Sequence, residues 1–96
     1  ALPIFLDRKP TSGDHPCHVE TDRTGKWLFA SNYSSGSLSV FHVEEDGKLS
    51  TANIIQHYGK GTDTIRQSSP HVHGAFMSAD NKKLFVTDLG LDRIYI

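Results

Sequence analysis

Leu28 and Phe29 return as Leu84 and Phe85, and the same interval of 56 positions links Asn32 to Asp88, Leu38 to Ile94 and Val40 to Ile96. Ahead of the first run stands Pro16-Cys17-His18-Val19. Ahead of the second stands Pro70-His71-Val72-His73, 54 positions on, so a small length change is expected in the turn between. A unit of ~50 residues said twice is one supersecondary unit that cannot bury its apolar face alone and must stack on its neighbours. Such folds present equivalent loops of successive repeats on one face, which is where function collects.

The pattern inside the unit is all-β. Strands are expected at Cys17–Asp22, Trp27–Ser31, Ser37–Glu44 and Leu49–His57, and again at Val72–Ser78, at Leu84–Thr87 and from Arg93 onward. Turn residues separate them, with Gly25 free to take positive φ and Asp46-Gly47 suited to a type I′ hairpin. Trp27 and Phe29 read as core, and Cys17 as a small buried hydrophobe. Four antiparallel strands per ~50 residues describe a β-propeller blade. A closed propeller takes roughly 4–8 blades, so 96 residues are expected to form part of one propeller domain. On this reading residues 1–15 end a preceding blade, with Leu2–Leu6 as its outer strand. Residues 16–58 make the first blade, 59–69 a long inter-blade loop, and 70–96 the start of the next. The remaining blades of the same protein are the partners this implies.

Composition narrows the function. A net charge of −1 with no basic run argues against a nucleic-acid surface. No apolar stretch approaches the ~20 residues of a membrane span, and no signal-peptide pattern opens the chain. A lone cysteine cannot close an internal disulfide, which favours a reducing, cytoplasmic setting. Without a Gly-x-Ser-x-Gly elbow or a phosphate-binding glycine loop, serine-hydrolase and nucleotide-binding readings fall away.

The polar segment from Tyr58 to Ser69 is too long for a tight hairpin, and long loops on rigid scaffolds are usually functional. In propeller topology it crosses the top face toward the axis. It would bring Arg66 and Gln67 near His71 and His73 at the start of an inner strand, and near Asp88 at a second-strand end. His18 and Asn32 take similar stations in the first unit.

The ordered set Pro16-Cys17-His18-Val19, Gly25-Lys26, Ser31-Asn32-Tyr33, Ser35-Gly36-Ser37, Asp46-Gly47-Lys48-Leu49, Arg66-Gln67, Pro70-His71-Val72-His73 and Asp88-Leu89-Gly90-Leu91-Asp92-Arg93 resembles the lactonase family of seven-bladed β-propellers. That family includes propeller-type 6-phosphogluconolactonases and fungal carboxymuconate cyclases. The resemblance implies about two of seven blades, a small-molecule lactone as substrate, and further active-site residues on the other blades. It implies hydrolysis of a sugar lactone, 6-phosphogluconolactone to 6-phosphogluconate in the pentose phosphate pathway. A muconate cycloisomerase is the alternative within the family. A non-catalytic binding platform is the alternative outside it, since fold does not fix function.

His71 and His73, two apart on a strand, are expected to project to one side. Histidine suits the base that activates water or the acid that meets the departing ring oxygen. The same spacing fits a metal pair, but further ligands at metal-site spacing are not evident, so no metal and no cofactor is expected. One of the two can equally serve the backbone at a crowded blade start. Arg66 suits a bidentate grip on phosphate or carboxylate, or else a solvated loop charge or a bridge to Asp63. Asp88, His18 and Asn32 are candidate substrate contacts whose structural alternative is to tie turn amides or to orient a histidine.

Overall fold

Residues 2–96 are described by the computed structural model, and every regular element among them is a strand; Ala1 lies outside the described residues. β1 (Pro16–Thr21), β2 (Trp27–Asn32), β3 (Ser37–His42) and β4 (Asn53–Gln56) form one antiparallel sheet in chain order. β5 (Val72–Met77), β6 (Leu84–Asp88) and β7 (Arg93–Tyr95) form a second. Short turns between β1, β2 and β3 force this neighbour-to-neighbour pairing, with Gly25 at φ 72° and Gly36 at φ 63° in the left-handed region.

The register corrects the expected repeat. Pro16 lies opposite Asn32 and Val72 opposite Asp88, and a bulge follows at the same place in each sheet, between Pro16 and His18 and between Val72 and Gly74. One step earlier, the amide of Tyr33 donates to the His15 carbonyl (3.0 Å) and that of Leu89 to the His71 carbonyl (2.9 Å). A single interval of 56 therefore runs through both units without a length change. Pro16 and Pro70 are not equivalent: backbone pairing sets the correspondence, and a shared proline does not override it. Proline is tolerated at the first position of a strand, where its missing donor is least needed.

Alternation then decides how the sheets stack. In the first sheet Phe29 pairs across with Val40 and Ser31 with Leu38, so these four share a face. In the second, Ala75 pairs with Val86 and Met77 with Leu84. The two faces meet in one core of Phe29, Leu38, Val72, Ala75 and Val86, edged by Val40, Met77, Leu84 and Tyr95, with β5 against β1 and β2. Val72 is fully buried, and burying such a side chain contributes about 1.5–3 kcal/mol. The far face of the second sheet repeats the first sheet's stacking face. Ile94 is 65% exposed where its equivalent Leu38 is 2% exposed.

The far face of the first sheet is covered by residues 11–13. The Ser39 hydroxyl donates to the Thr11 carbonyl (2.5 Å), and Gly13 lies against Asn32. Leu2–Leu6, expected as the outer strand of a preceding blade, pairs with no strand among the described residues. That segment is held by side chains instead of a ladder, through Leu6 on the Gly47 turn and the Asp7 carboxylate on the Leu49 amide (2.9 Å). The Leu49 and Arg8 amides hold the Asp7 carboxyl below its ordinary value.

The fourth strand is shorter than expected, since the His42 amide bonds the Ser50 hydroxyl (2.9 Å) instead of a strand carbonyl, and the turn before it is not type I′. Gly47 alone is left-handed (φ 84°), its amide bonds Glu44 (2.9 Å) and the Glu44 amide bonds Lys48 (2.8 Å). This is the three-residue loop closed by a left-handed glycine. Only an isolated bridge, Val43 to Leu49, follows before Asn53. Trp27 is also not core: it is 42% exposed and meets His42 edge-on at 4.9 Å. Cys17 is exposed rather than buried.

At the β1–β2 end the sheets are tied by polar groups. Asp22 is buried, and burial by itself would raise its pKa. The Thr24 hydroxyl (2.7 Å), the Asn81 side-chain amide (3.1 Å) and the amides of Trp27 (3.2 Å) and Lys26 (3.0 Å) outweigh that and hold it far below the ordinary range. Ser78, its equivalent, accepts from the Lys82 and Lys83 amides (3.2 and 3.0 Å) in the same manner.

Gly36 tests the stacking. A Cβ there would stand 2.6 Å from the Pro70 carbonyl oxygen while φ stays at +63°, whereas a Cβ at Gly25 meets nothing. Gly36→Ala is expected to cost about 2–4 kcal/mol, and Gly25→Ala about 1 kcal/mol from its backbone alone. Urea denaturation of the full-length protein separates the two; equal losses would remove the inter-sheet contact from the explanation.

Candidate functional site

The β2–β3 turn of the first sheet and the long loop from 57 to 71 meet at one ring, Tyr33. His71 stacks on it at 4.3 Å between centroids and 8° between planes, and His73 meets it edge-on at 5.8 Å. Strand alternation does not account for this meeting. His71 precedes β5, and His73 occupies the bulge that interrupts the alternation. A tyrosine of the neighbouring blade gathers the two histidines.

That tyrosine also sets a proton. Nδ1 of His71 lies 2.9 Å from the Tyr33 carbonyl oxygen. A carbonyl can only accept, so Nδ1 carries the hydrogen, and Nε2 of the neutral ring keeps its lone pair. His73 is exposed. Beside it lie Thr87, Asp88, Leu89, Asp92, Arg93 and Ile94, of which Thr87 and Ile94 belong to the face that repeats the first sheet's stacking face.

Asp88, the last residue of β6, is buried. One carboxylate oxygen accepts the amides of His71 (2.8 Å) and Leu91 (3.1 Å), and the other lies 2.6 Å from Nδ1 of His57. His57 directly follows β4, is itself buried, and packs on Tyr95 at 4.2 Å. Nothing in the spacing of the sequence pointed to His57, whose partner stands 31 residues away.

Arg66 is exposed on a turn built by Asp63. The Asp63 carboxylate accepts the Arg66 and Ile65 amides, each at 2.9 Å, and these bonds hold its pKa below the ordinary value. The bond runs to the Arg66 main chain, leaving its side chain outside this contact. Gln67 ties the loop down, donating to the Leu89 carbonyl (3.0 Å).

His18 and Asn32 stand apart from this cluster. His18 is half-buried against Phe76 at 5.0 Å, with its Nδ1 unpartnered. The register makes Gly74 its equivalent, so His18 does not share the station of the histidine pair. Those stations belong to His15 and Cys17. His15 bonds the Ser34 hydroxyl at 2.7 Å, and sequence reasoning had passed it over. Asn32 is fully buried and donates to the hydroxyls of Ser37 (3.1 Å) and Ser39 (2.8 Å). Tyr33 ends the Ser31-Asn32-Tyr33 motif, and nothing in that motif foretells its contact with the histidines.

Residues 4–96 match the family described as lactonase, 7-bladed beta-propeller. The chain belongs to this family. It is 38% identical over 92 residues to the 6-phosphogluconolactonase of Bacillus subtilis (strain 168), covering 95% of this chain and 26% of that protein. It is 36% identical over 92 residues to the 6-phosphogluconolactonase of Formosa agariphila, with the same two shares, 95% and 26%. The chain thus spans about a quarter of the length of the curated relatives it matches. Among solved structures it superposes on the periplasmic gluconolactonase of Pseudomonas aeruginosa with a TM-score of 0.86 at 33% identity, covering 94% of this chain and 26% of that one. The two sheets are therefore neighbouring blades of a lactonase propeller. No helix among the described residues is long and apolar enough to cross a membrane.

The proton placement can be read directly. Long-range ¹H–¹⁵N correlation of histidine-labelled full-length protein should give the Nδ1–H pattern for neutral His71, and the same for His57. An Nε2–H pattern at His71 would contradict the bond to Tyr33.

Proposed function

We propose that the protein carrying this chain hydrolyses a sugar lactone, with 6-phosphogluconolactone as its substrate. The observation that carries the reading is the pairing of His71 and His73 on Tyr33, with one ring nitrogen of His71 left as a free acceptor. The names of the Bacillus and Formosa relatives support the substrate.

Hydrolysis requires water to add at the lactone carbonyl carbon while a base takes its proton. The bond from that carbon to the ring oxygen then breaks, and the ring oxygen receives a proton to become a hydroxyl. The new carboxylic acid ionises and releases one proton. His73 takes the proton from water and returns it to the ring oxygen. His71 orients the water through its Nε2 lone pair. The Arg66 guanidinium holds the phosphate. We assign Asn32, His18 and Asp88 to support rather than substrate contact, because Asn32 and Asp88 are buried and His18 packs between the blades.

A phosphorylated sugar carries charge that keeps it from crossing a bilayer unaided, so this reading places the reaction in the cytoplasm, where the substrate arises. A second reading, unphosphorylated gluconolactone, is favoured by the Pseudomonas relative. Muconolactone has no counterpart among the relatives named above.

The test is hydrolysis by the full-length protein, above the spontaneous rate, of freshly generated 6-phosphogluconolactone and of gluconolactone. His73→Ala is expected to lower the rate about 10²–10⁴-fold. Arg66→Ala should raise KM about tenfold or more for the phosphorylated lactone only. An unimpaired His73→Ala moves the base elsewhere, and equal KM changes for both lactones remove Arg66 from the phosphate. A folded protein that accelerates neither lactone discards the enzyme in favour of a binding platform.

A further inference from the structure

We propose that the Asp88 carboxylate is a buckle that closes the 57–71 loop by holding both of its ends, and that it thereby positions His71 and Arg66. The catalytic half of this inference rests on the lactonase reading; the closure itself does not. His57 opens the loop and reaches one carboxylate oxygen with its side chain (2.6 Å), and His71 ends the loop and reaches the other with its amide (2.8 Å). Both side chains of the His57–Asp88 pair are shielded, at 7% and 0% exposure. A hydrogen bond to a buried charged group is among the strongest that a side chain makes.

The loop is anchored elsewhere as well. On the β2–β3 turn the His57 amide donates to the Gly36 carbonyl (3.0 Å) and Nδ1 of His71 to the Tyr33 carbonyl (2.9 Å), and further bonds fall on β6 and its turn. Gln67 donates to the Leu89 carbonyl (3.0 Å), and the Leu89 amide donates to the His71 carbonyl (2.9 Å). Gly90 lies so close under the loop end that a Cβ would stand 2.9 Å from the His71 nitrogen. The loop has no strand ladder of its own; bonds of Gln67 with Gly61 (2.8 Å) and Asp63 (2.8 Å) shape its middle, and the anchors fix its ends.

The station itself does not require a carboxylate. Its equivalent in the first blade is Asn32, which turns its amide onto two hydroxyls of its own sheet. At 88 three donors converge: two amides and a ring N–H. Only a group that accepts through both of its atoms satisfies them; an asparagine would aim a donor at one. Asp88 is thus a positioning residue. It acts through His71, whose backbone it holds one residue from the bulge that carries His73.

The test compares His57→Ala, His57→Gln and Asp88→Asn in the full-length protein. Lys60 and Arg66 are exposed within the loop and give trypsin two local reporters that need no activity. His57→Ala is expected to speed cleavage there about tenfold or more while the rest of the protein stays resistant. His57→Gln, whose amide can still donate to Asp88, should return cleavage toward the wild-type rate. Lactone hydrolysis should lose up to about 100-fold in kcat in His57→Ala, as a displaced catalytic group does, and regain most of it in His57→Gln. Wild-type cleavage rates in both His57→Ala and Asp88→Asn would overturn the buckle. Faster cleavage with kcat and KM unchanged would overturn the positioning role. If the parent hydrolyses no lactone, the functional reading fails, and trypsin alone decides the closure. Should Asp88→Asn not fold, the two His57 variants carry the test.

Discussion

A twisted antiparallel sheet that is apolar on both faces cannot be solvated on either, and everything else in this chain follows from how the two sheets share that burden. Phe29, Leu38 and Val40 face one way, and the next sheet answers with Ala75, Val86 and Leu84 from its opposite side. Front meets back, so the contact does not close on itself as a two-fold dimer would. Each added sheet presents the same front again, and Ile94 is the second sheet's copy of Leu38. A head-to-tail contact of this kind generates a ring wherever the rotation between units closes. The seven-bladed family is that closed solution.

Stacking by apolar faces leaves the polar ends of the strands to be joined. At the β1–β2 end, Asp22 and the Asn81 side chain span the sheets, with the Arg23 amide donating to Asn81 (2.8 Å). At the other end, His57 of one blade meets Asp88 of the next. Both are carboxylates with several donors, because a buried acceptor left short of partners costs more than its bonds return. The two ends differ in what crosses between the sheets. Compact turns meet at the first. A long loop must travel from outer to inner strand at the second, and that passage places His71 and His73 around a tyrosine of the preceding blade.

The repeat was legible because alternation writes burial into the sequence: Leu28-Phe29 and Leu84-Phe85 must each face two ways. Strand positions followed to within a residue or two except at the fourth, which begins four residues after the expected Leu49 although a glycine turn precedes it. The alignment slipped at Pro16, where identical letters suggested a 54-residue step that the hydrogen-bond ladder does not follow. His15 and His71 do the same main-chain work, and a carbonyl's partner leaves no mark on residue type. The histidine pair was visible as a pair, but its gathering point was not, since stacking on Tyr33 depends on the next blade's approach. His57 was invisible for the same reason. Its partner is set by tertiary packing, and a histidine ending a polar strand looks like any other.

The two bulges show how equivalent positions of a repeat come to carry different groups. The fold builds the same irregular step at Cys17 and at His73, so backbone geometry cannot be what distinguishes them. At the first, Sγ lies 3.5 Å from the His73 carbonyl and 3.8 Å from that of Val72, and partial desolvation of the sulfur against that strand raises the pKa of the otherwise exposed Cys17, which disfavours the thiolate. That side chain is a spacer against the next inner strand. At the second, an exposed imidazole stands beside Tyr33, with a second imidazole on the ring's face. The same contrast separates Asn32, which turns inward, from Asp88, which reaches two other segments. The scaffold supplies equivalent positions, and chemistry arises only where the side chains at successive positions differ.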